Sequence, residues 1–263
     1  MAVITCSYYS VARMGQRCFT AVLPVDRMPE GFGPVTYQDG PWPTLYLLHG
    51  FSGNHNDWLY GSRVQEWATR HGWAVIMPDG GNSFWLDSWA IDEQAGMQTG
   101  VELVEVTRRL FPLSHRREDT AIGGLSMGGY GALRNGLKYH ETFGHIAAMS
   151  SALIMDEVAA MTPGKGNPVA SYEYYRSTFG PPEELIGSDR DPRALAEALA
   201  GKEEKPRILL ACGYDDPLYA LNVEMHEHLE RLGYEHRWFT APGNHDFDFW
   251  NLVLQDLFPW LKG

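Results

Sequence analysis

Apolar residues arrive along this chain in short unbroken runs, and each run gives way to a stretch with helical spacing. "TLYLLHG" (44–50) and "WAVIMPDG" (73–80) are such runs, each closing on glycine. Residues 120–125, 145–150, "RILLACG" (207–213) and "EHRWFTAPG" (235–243) are four more. Apolar side chains at successive positions suit a strand buried on both faces. Helical spacing covers 57–71, 98–111, 127–139 and 217–232. Leu221, Met225, Leu229 and Leu232 fall on one face of the last of these, and Gly233 is placed to end it. Trp250, Val253, Leu257 and Trp260 repeat the pattern near the C-terminus. Residues 2–9 and 17–23 precede any helical pattern and read as an N-terminal hairpin.

Strands alternating with helices predict an α/β fold. Its central sheet is mostly parallel, its crossovers are right-handed, and helices cover both faces. The alternation breaks at 152–205, where Pro163, Pro168, Pro181, Pro182 and Pro192 punctuate short helical pieces. That segment rejoins a core strand, so it reads as a cap-like insertion within one domain spanning 1–263. No internal repeat or low-complexity tract is present.

Composition narrows the function. The chain has 263 residues, 44% of them hydrophobic, and a net charge of -12. A nucleic-acid surface needs a basic footprint, so nucleic acid is not an expected partner. No run approaches the roughly 20 apolar residues of a membrane-spanning helix. The opening residues do not read as a signal peptide, and Cys6, Cys18 and Cys212 are odd in number and lack metal-like spacing. A reduced, cytoplasmic protein is the expectation.

The chemistry centres on "AIGGLSMGGYGALR" (121–134). Gly124-Leu125-Ser126-Met127-Gly128 is a G-x-S-x-G pentapeptide lying between a predicted strand and a predicted helix, the setting of a nucleophilic serine on a sharp turn. Gly124 and Gly128 are expected to make room for that turn, and Gly129 and Gly131 to let the helix approach the sheet. A serine hydroxyl needs a base, and the base needs an orienting group. Downstream, "ACGYDDPLY" sets Asp215 and Asp216 just past a strand end, and "APGNHDFDFW" sets His245 after the last strand. Spacing alone leaves Asp215 and Asp216 open. His226, His228 and His236 fall within a helix or strand, where surface or capping positions suit them better. An oxyanion hole needs backbone N–H groups, expected from Met127 and from Phe51 in "LLHGFSGN" (47–54). His49 and His55 have no third ligand at suitable spacing, so neither a metal nor a cofactor is expected. Trp85, Trp89, Met155, Tyr172 and Tyr174 are candidates to line an apolar substrate pocket.

"LYLLHGFSGNHNDW", "VIMPDGGNS", "AIGGLSMGGYGALR", "FGPPEELIGSDRDPRALAEAL", "CGYDDPLYALN" and "GNHDFDFW" together resemble the esterase D-like α/β-hydrolases. The branch they resemble most is that of bacterial tributyrin esterases and cinnamoyl (feruloyl) esterases. S-formylglutathione hydrolases and mycolyltransferase antigens are more distant relatives. The resemblance covers roughly residues 15–262. It implies the α/β-hydrolase fold, with Ser126 as nucleophile and His245 as base. It also selects Asp216 over Asp215 as the acid, through the family's CG-x-(E/D)-D motif. The same resemblance matches Phe51 and Met127 to the oxyanion donors and 152–205 to the family's cap, and it favours a homo-oligomer. Two departures stand out. "FSGNHND" lacks the cysteine usual in the S-formylglutathione branch, and Asn244 stands where the tributyrin branch often has glycine. The expected function is a serine carboxylesterase acting on short-chain acyl or phenolic (feruloyl-type) esters. The alternatives are S-formylglutathione hydrolysis, acyl transfer, and a catalytically inactive binding protein of the same fold.

Overall fold

Neighbouring side chains of a strand leave the sheet on opposite sides, so an unbroken apolar run feeds two cores at once. The computed structural model describes residues 1–26 and 39–263. β1 (Ala2–Ser10) and β2 (Gly15–Leu23) form the expected antiparallel hairpin. β3 (Thr44–Leu48), β4 (Ala74–Pro78), β5 (Thr120–Leu125), β6 (His145–Met149), β7 (Arg207–Gly213) and β8 (His236–Ala241) follow, and their mutual pairings are parallel. β2 joins them by lying antiparallel on β4. The eight strands among the described residues make one sheet in the order β1-β2-β4-β3-β5-β6-β7-β8.

Helices occupy the crossovers. α1 (Asp57–Gly61) and α2 (Val64–His71) follow β3. After β4 come α3 (Ala95–Met97), a π turn (Gln98–Glu102) and α4 (Leu103–Leu110). α5 (Met127–Lys138) follows β5. α6 (Met155–Ala159), α7 (Tyr172–Phe179) and α8 (Pro192–Leu199) lie between β6 and β7. α9 (Tyr219–Arg231) follows β7, and α10 (Phe247–Trp260) follows β8.

The two cores alternate along the strands as the apolar runs require. Tyr46, Ile76, Ile122, Ile146 and Ile208 pack on one face with Leu103 of α4, Leu133 of α5 and Met225 and Leu229 of α9. Leu45, Val75, Ala121, Ala147 and Leu209 pack on the other with Val64 and Ala68 of α2 and Val253 and Leu257 of α10. Each large aliphatic side chain so buried contributes about 1.5–3 kcal/mol.

One expectation needs correction. Residues 57–71 form two helices, because Ser62 adopts an extended backbone (φ -130°, ψ 172°) between them. Its hydroxyl accepts from Val64 N–H at 3.1 Å, and Arg63 N–H is drawn to Asn251 Oδ1 of α10 at 2.7 Å. Gly233 does end α9 in the left-handed conformation, at φ 62°.

The 152–205 segment is fastened to the sheet domain by polar contacts. Arg134 of α5, 1% exposed, donates from Nε to Asp189 O at 3.0 Å and from Nη2 to Asp189 Oδ2 at 2.8 Å. Tyr130 donates its hydroxyl to Arg190 O at 2.6 Å. Tyr174 donates to Asn82 O, in the loop after β4, at 2.7 Å.

Candidate active site

A parallel strand that must hand over directly to a helix has to turn within one residue, and here that residue is Ser126. β5 ends at Leu125 and α5 begins at Met127. Ser126 between them has φ 55° and ψ -119°, a conformation that costs a non-glycine residue about 1–3 kcal/mol. Its neighbours hold it there. Ser126 N–H donates to Met149 O at 2.9 Å, and Ser126 O accepts from Tyr130 N–H at 3.1 Å. The flanking glycines allow the crossing: a Cβ on Gly124 would stand 2.4 Å from Gly128 O, and one on Gly128 2.5 Å from Leu48 O. Both contacts are with backbone, which cannot swing aside. Left-handed non-glycine residues recur at Ser52, Phe84, Trp85 and Ser150. All of them follow the carboxyl ends of β3, β4 and β6, as Ser126 follows β5. Strain is thus gathered at the end of the sheet where open α/β sheets place their sites.

The loops after β7 and β8 bring an acid and a base together. Asp216 is 4% exposed, whereas Asp215 faces solvent. Asp216 Oδ2 lies 2.9 Å from His245 Nδ1, and its Oδ1 accepts from Leu218 N–H at 2.8 Å. Burial alone would raise the Asp216 pKa. Hydrogen bonds from His245, Ser150 and Leu218 N–H outweigh it and hold the carboxyl below its usual range. An ionised carboxylate only accepts, so Nδ1 of His245 carries the proton and Nε2 offers a lone pair. The Trp250 ring stands edge-on to His245 at 5.2 Å, and its indole N–H donates to Ser150 Oγ at 3.1 Å. Sequence reasoning missed Ser150 and placed Trp250 only in a helix face. The one available signal for Ser150 was its position at the end of the apolar run 145–150.

His49 fixes the loop after β3. It is 1% exposed, and its Nε2 accepts from Gly80 N–H at 3.0 Å, so Nδ1 is the protonated nitrogen. Nδ1 lies 2.7 Å from Gly50 O, to which Gly53 N–H also donates at 3.2 Å. Burial pushes the His49 pKa down, which keeps the ring neutral and this pattern intact. A trans peptide points its C=O and N–H in opposite directions. Anchoring Gly50 O therefore turns Phe51 N–H the other way. Neither Phe51 N–H nor Met127 N–H donates to another group among the described residues.

Ser126, Met127, His245 and Phe51 all line one cavity of about 300 Å³, together with Phe84, Ala152, Ile154 and Tyr175. Two wider clefts, of about 540 and 510 Å³, share Lys205 and Arg207 and contain none of these groups. The cavity is therefore the candidate site. It does not include the five expected pocket residues. Trp85 is fully buried, with its ring against Gly131, where a Cβ would stand 2.5 Å away, and its indole N–H on His49 O at 3.3 Å. Gly131 thus makes room for this ring rather than for the sheet. Met155 is a core residue, 2% exposed. Trp89 is half exposed beneath the Arg190 guanidinium, 5.1 Å from the ring centre. Tyr172 opens α7, half-buried. Tyr174 stands behind Phe51, ring to ring at 5.8 Å. His55 bonds Thr20 through Nδ1 at 2.8 Å. No described residues form a group of three or more His, Cys, Asp or Glu suited to a metal. No described helix is long and apolar enough to cross a membrane.

Known proteins resemble this chain. Residues 27–261 match the model of the family described as "Putative esterase". The chain is 44% identical over 265 residues to an acetyl esterase of Caldicellulosiruptor saccharolyticus, spanning 100% of this chain and 98% of that protein. A substrate-bound fluorophosphonate-binding serine hydrolase of Staphylococcus aureus superposes with a TM-score of 0.84 at 25% identity, covering 100% of this chain and 98% of that one. An S-formylglutathione hydrolase from the same organism, solved as the apoenzyme, superposes with a TM-score of 0.81 at 25% identity, covering 100% and 99%. With the strand order above, these likenesses establish the α/β-hydrolase fold.

Proposed function

The chain belongs to the esterase family and is a carboxylic ester hydrolase; from that premise we propose that Ser126, His245 and Asp216 form its catalytic triad. Ser126 Oγ attacks the ester carbonyl while His245 Nε2 takes its proton. Asp216 holds the ring in that tautomer and stabilises the imidazolium. Phe51 N–H and Met127 N–H receive the negative oxygen of the tetrahedral intermediate. His245 then protonates the departing alcohol and leaves an acyl-enzyme. Water, deprotonated by His245, attacks the acyl carbon and releases the acid. The observation that carries this reading is one cavity shared by a serine on a strained turn and a histidine held through Nδ1 by a buried aspartate.

The cavity supports small substrates. About 300 Å³ walled by Phe51, Phe84, Ile154 and Tyr175 suits a short acyl chain or one aromatic ring, so short-chain acyl and phenolic esters are the proposed substrates. The 152–205 segment acts as the cap that supplies Ile154 and Tyr175. The test is turnover of 4-nitrophenyl acetate with fluorophosphonate labelling. Ser126→Ala is expected to lower kcat by at least about a thousandfold and to abolish the label. Retained labelling in that variant would place the nucleophile elsewhere, and an unlabelled wild-type protein would mark an inactive binding scaffold.

A further inference from the structure

The cavity that holds Ser126 and His245 has a carboxylate in its wall and no cation. Glu157, an exposed residue on α6, lines it together with Phe51, Phe84, Ile154 and Tyr175, and none of its lining residues is a lysine or arginine. Its chain neighbour Asp156 is neutralised by Arg193, 2.8 Å away. Glu157 forms no ion pair among the described residues and is held instead by Asn167, whose Nδ2 donates to Oε1 at 2.9 Å. The orientation of that amide is settled by three donors on its oxygen. Val169 N–H lies 2.9 Å from Oδ1, Ala170 N–H 3.0 Å and Tyr175 OH 3.1 Å. Asn167 therefore presents its N–H to Oε1 of Glu157, and Oε2 has no hydrogen-bond partner among the described residues.

Resting on the esterase reading above, we propose that Glu157 is the charge-selecting residue of this pocket: it admits uncharged esters, accepts hydrogen bonds from hydroxyl groups on them, and rejects anionic ones. A ligand in so small a cavity lies within about one Debye length of the carboxylate, ~8 Å at physiological salt. An anionic group there meets like charge with no cation to offset it. A hydroxyl group finds an acceptor already fixed in place. The chain's net charge of -12 repels anions as well, but it acts on wild type and variants almost alike.

The test uses two matched substrate pairs. One carries its charge on the acyl side, 4-nitrophenyl hemisuccinate against the uncharged 4-nitrophenyl 4-methylpentanoate. The other carries it on the alcohol side, 4-acetoxybenzoate against its methyl ester. Glu157→Gln preserves an oxygen for Asn167 and removes the charge. It is expected to raise the ratio of kcat/KM for the anionic member to that for the uncharged member of at least one pair about threefold to tenfold at low salt. Glu157→Lys extends the trend in the same direction, and about 0.5 M NaCl compresses it. Anionic-to-neutral ratios that stay the same across Glu, Gln and Lys at position 157 overturn the proposal, as does a gain that high salt leaves untouched. The esterase reading fails separately, through absent turnover of both uncharged esters by the wild-type enzyme.

Discussion

Asp215 and Asp216 carry the same side chain at adjacent positions, yet only one can serve His245. Consecutive residues past a strand end point in different directions, so Asp216 is buried against Leu218 N–H while Asp215 faces water. Asp216→Asn is expected to lower kcat on 4-nitrophenyl acetate by about 10⁴-fold, because an amide no longer selects the productive tautomer of His245. Asp215→Asn serves as the control and should stay within about twofold; equal losses in the two would remove Asp216 from its role. Spacing could not separate these residues, because direction is a three-dimensional property; the motif resemblance could. Ser126 and His245 were legible because the roles proposed for them need glycine-rich turns at strand ends, and such turns leave a mark in sequence. The bond between Ser150 and Trp250 left none, since it joins positions 100 residues apart. Trp85 misled for a related reason. A tryptophan in a loop reads as a pocket wall until its backbone, here at φ 57°, aims it into the core.

At the scale of elements, the β5–α5 junction leaves least freedom. Gly128 packs against the carbonyls of Leu48 and His49, at 2.5 and 2.6 Å from a would-be Cβ. Gly128→Ala must therefore displace either the helix or the end of β3, which also carries the Phe51 loop. An expected loss of about 2–4 kcal/mol in urea-unfolding stability, with a fall in kcat, follows from overpacking against backbone. A variant as stable and active as wild type would mean that the junction is looser than it stands here. The inner strands β3 to β7 were legible to within two residues at each end, because burial on both faces imposes an unbroken apolar run. The break between α1 and α2 was not. It depends on Asn251 of α10 capturing Arg63 N–H, a contact that no local pattern announces.

Across the whole molecule, acid should unfold this protein through its buried histidines. His145 is 5% exposed beside Arg207, and burial, then the charges of Arg207 and Arg117, lower its pKa to about 4. His49, His71 and His236 are shifted down as well, each first by burial. An unfolded chain protonates its imidazoles near pH 6.5. The unfolded state therefore binds more protons between about pH 6.5 and 4, and stability falls as pH falls through that window. Above it the contribution is complete. His145 alone accounts for about 2 kcal/mol between pH 7.5 and pH 5. His145→Phe, which keeps a ring against Trp260, is expected to lessen the drop in urea midpoint across that range. An unchanged drop would assign the acid sensitivity to other groups.

The left-handed serines at 52, 126 and 150 bear on how such a chain changes over generations. Glycine would adopt the same backbone at less cost, so on stability alone each serine is a poor choice. Phe84 and Trp85 fill the core and cannot be exchanged in that way. A lineage released from ester hydrolysis would keep the sheet and the two cores but lose the reason for serine at 126, in the candidate site, and at 150, which bonds Asp216 and Trp250. Drift toward glycine there, with the strands unaltered, would mark the point at which chemistry ceased to be selected and stability alone remained.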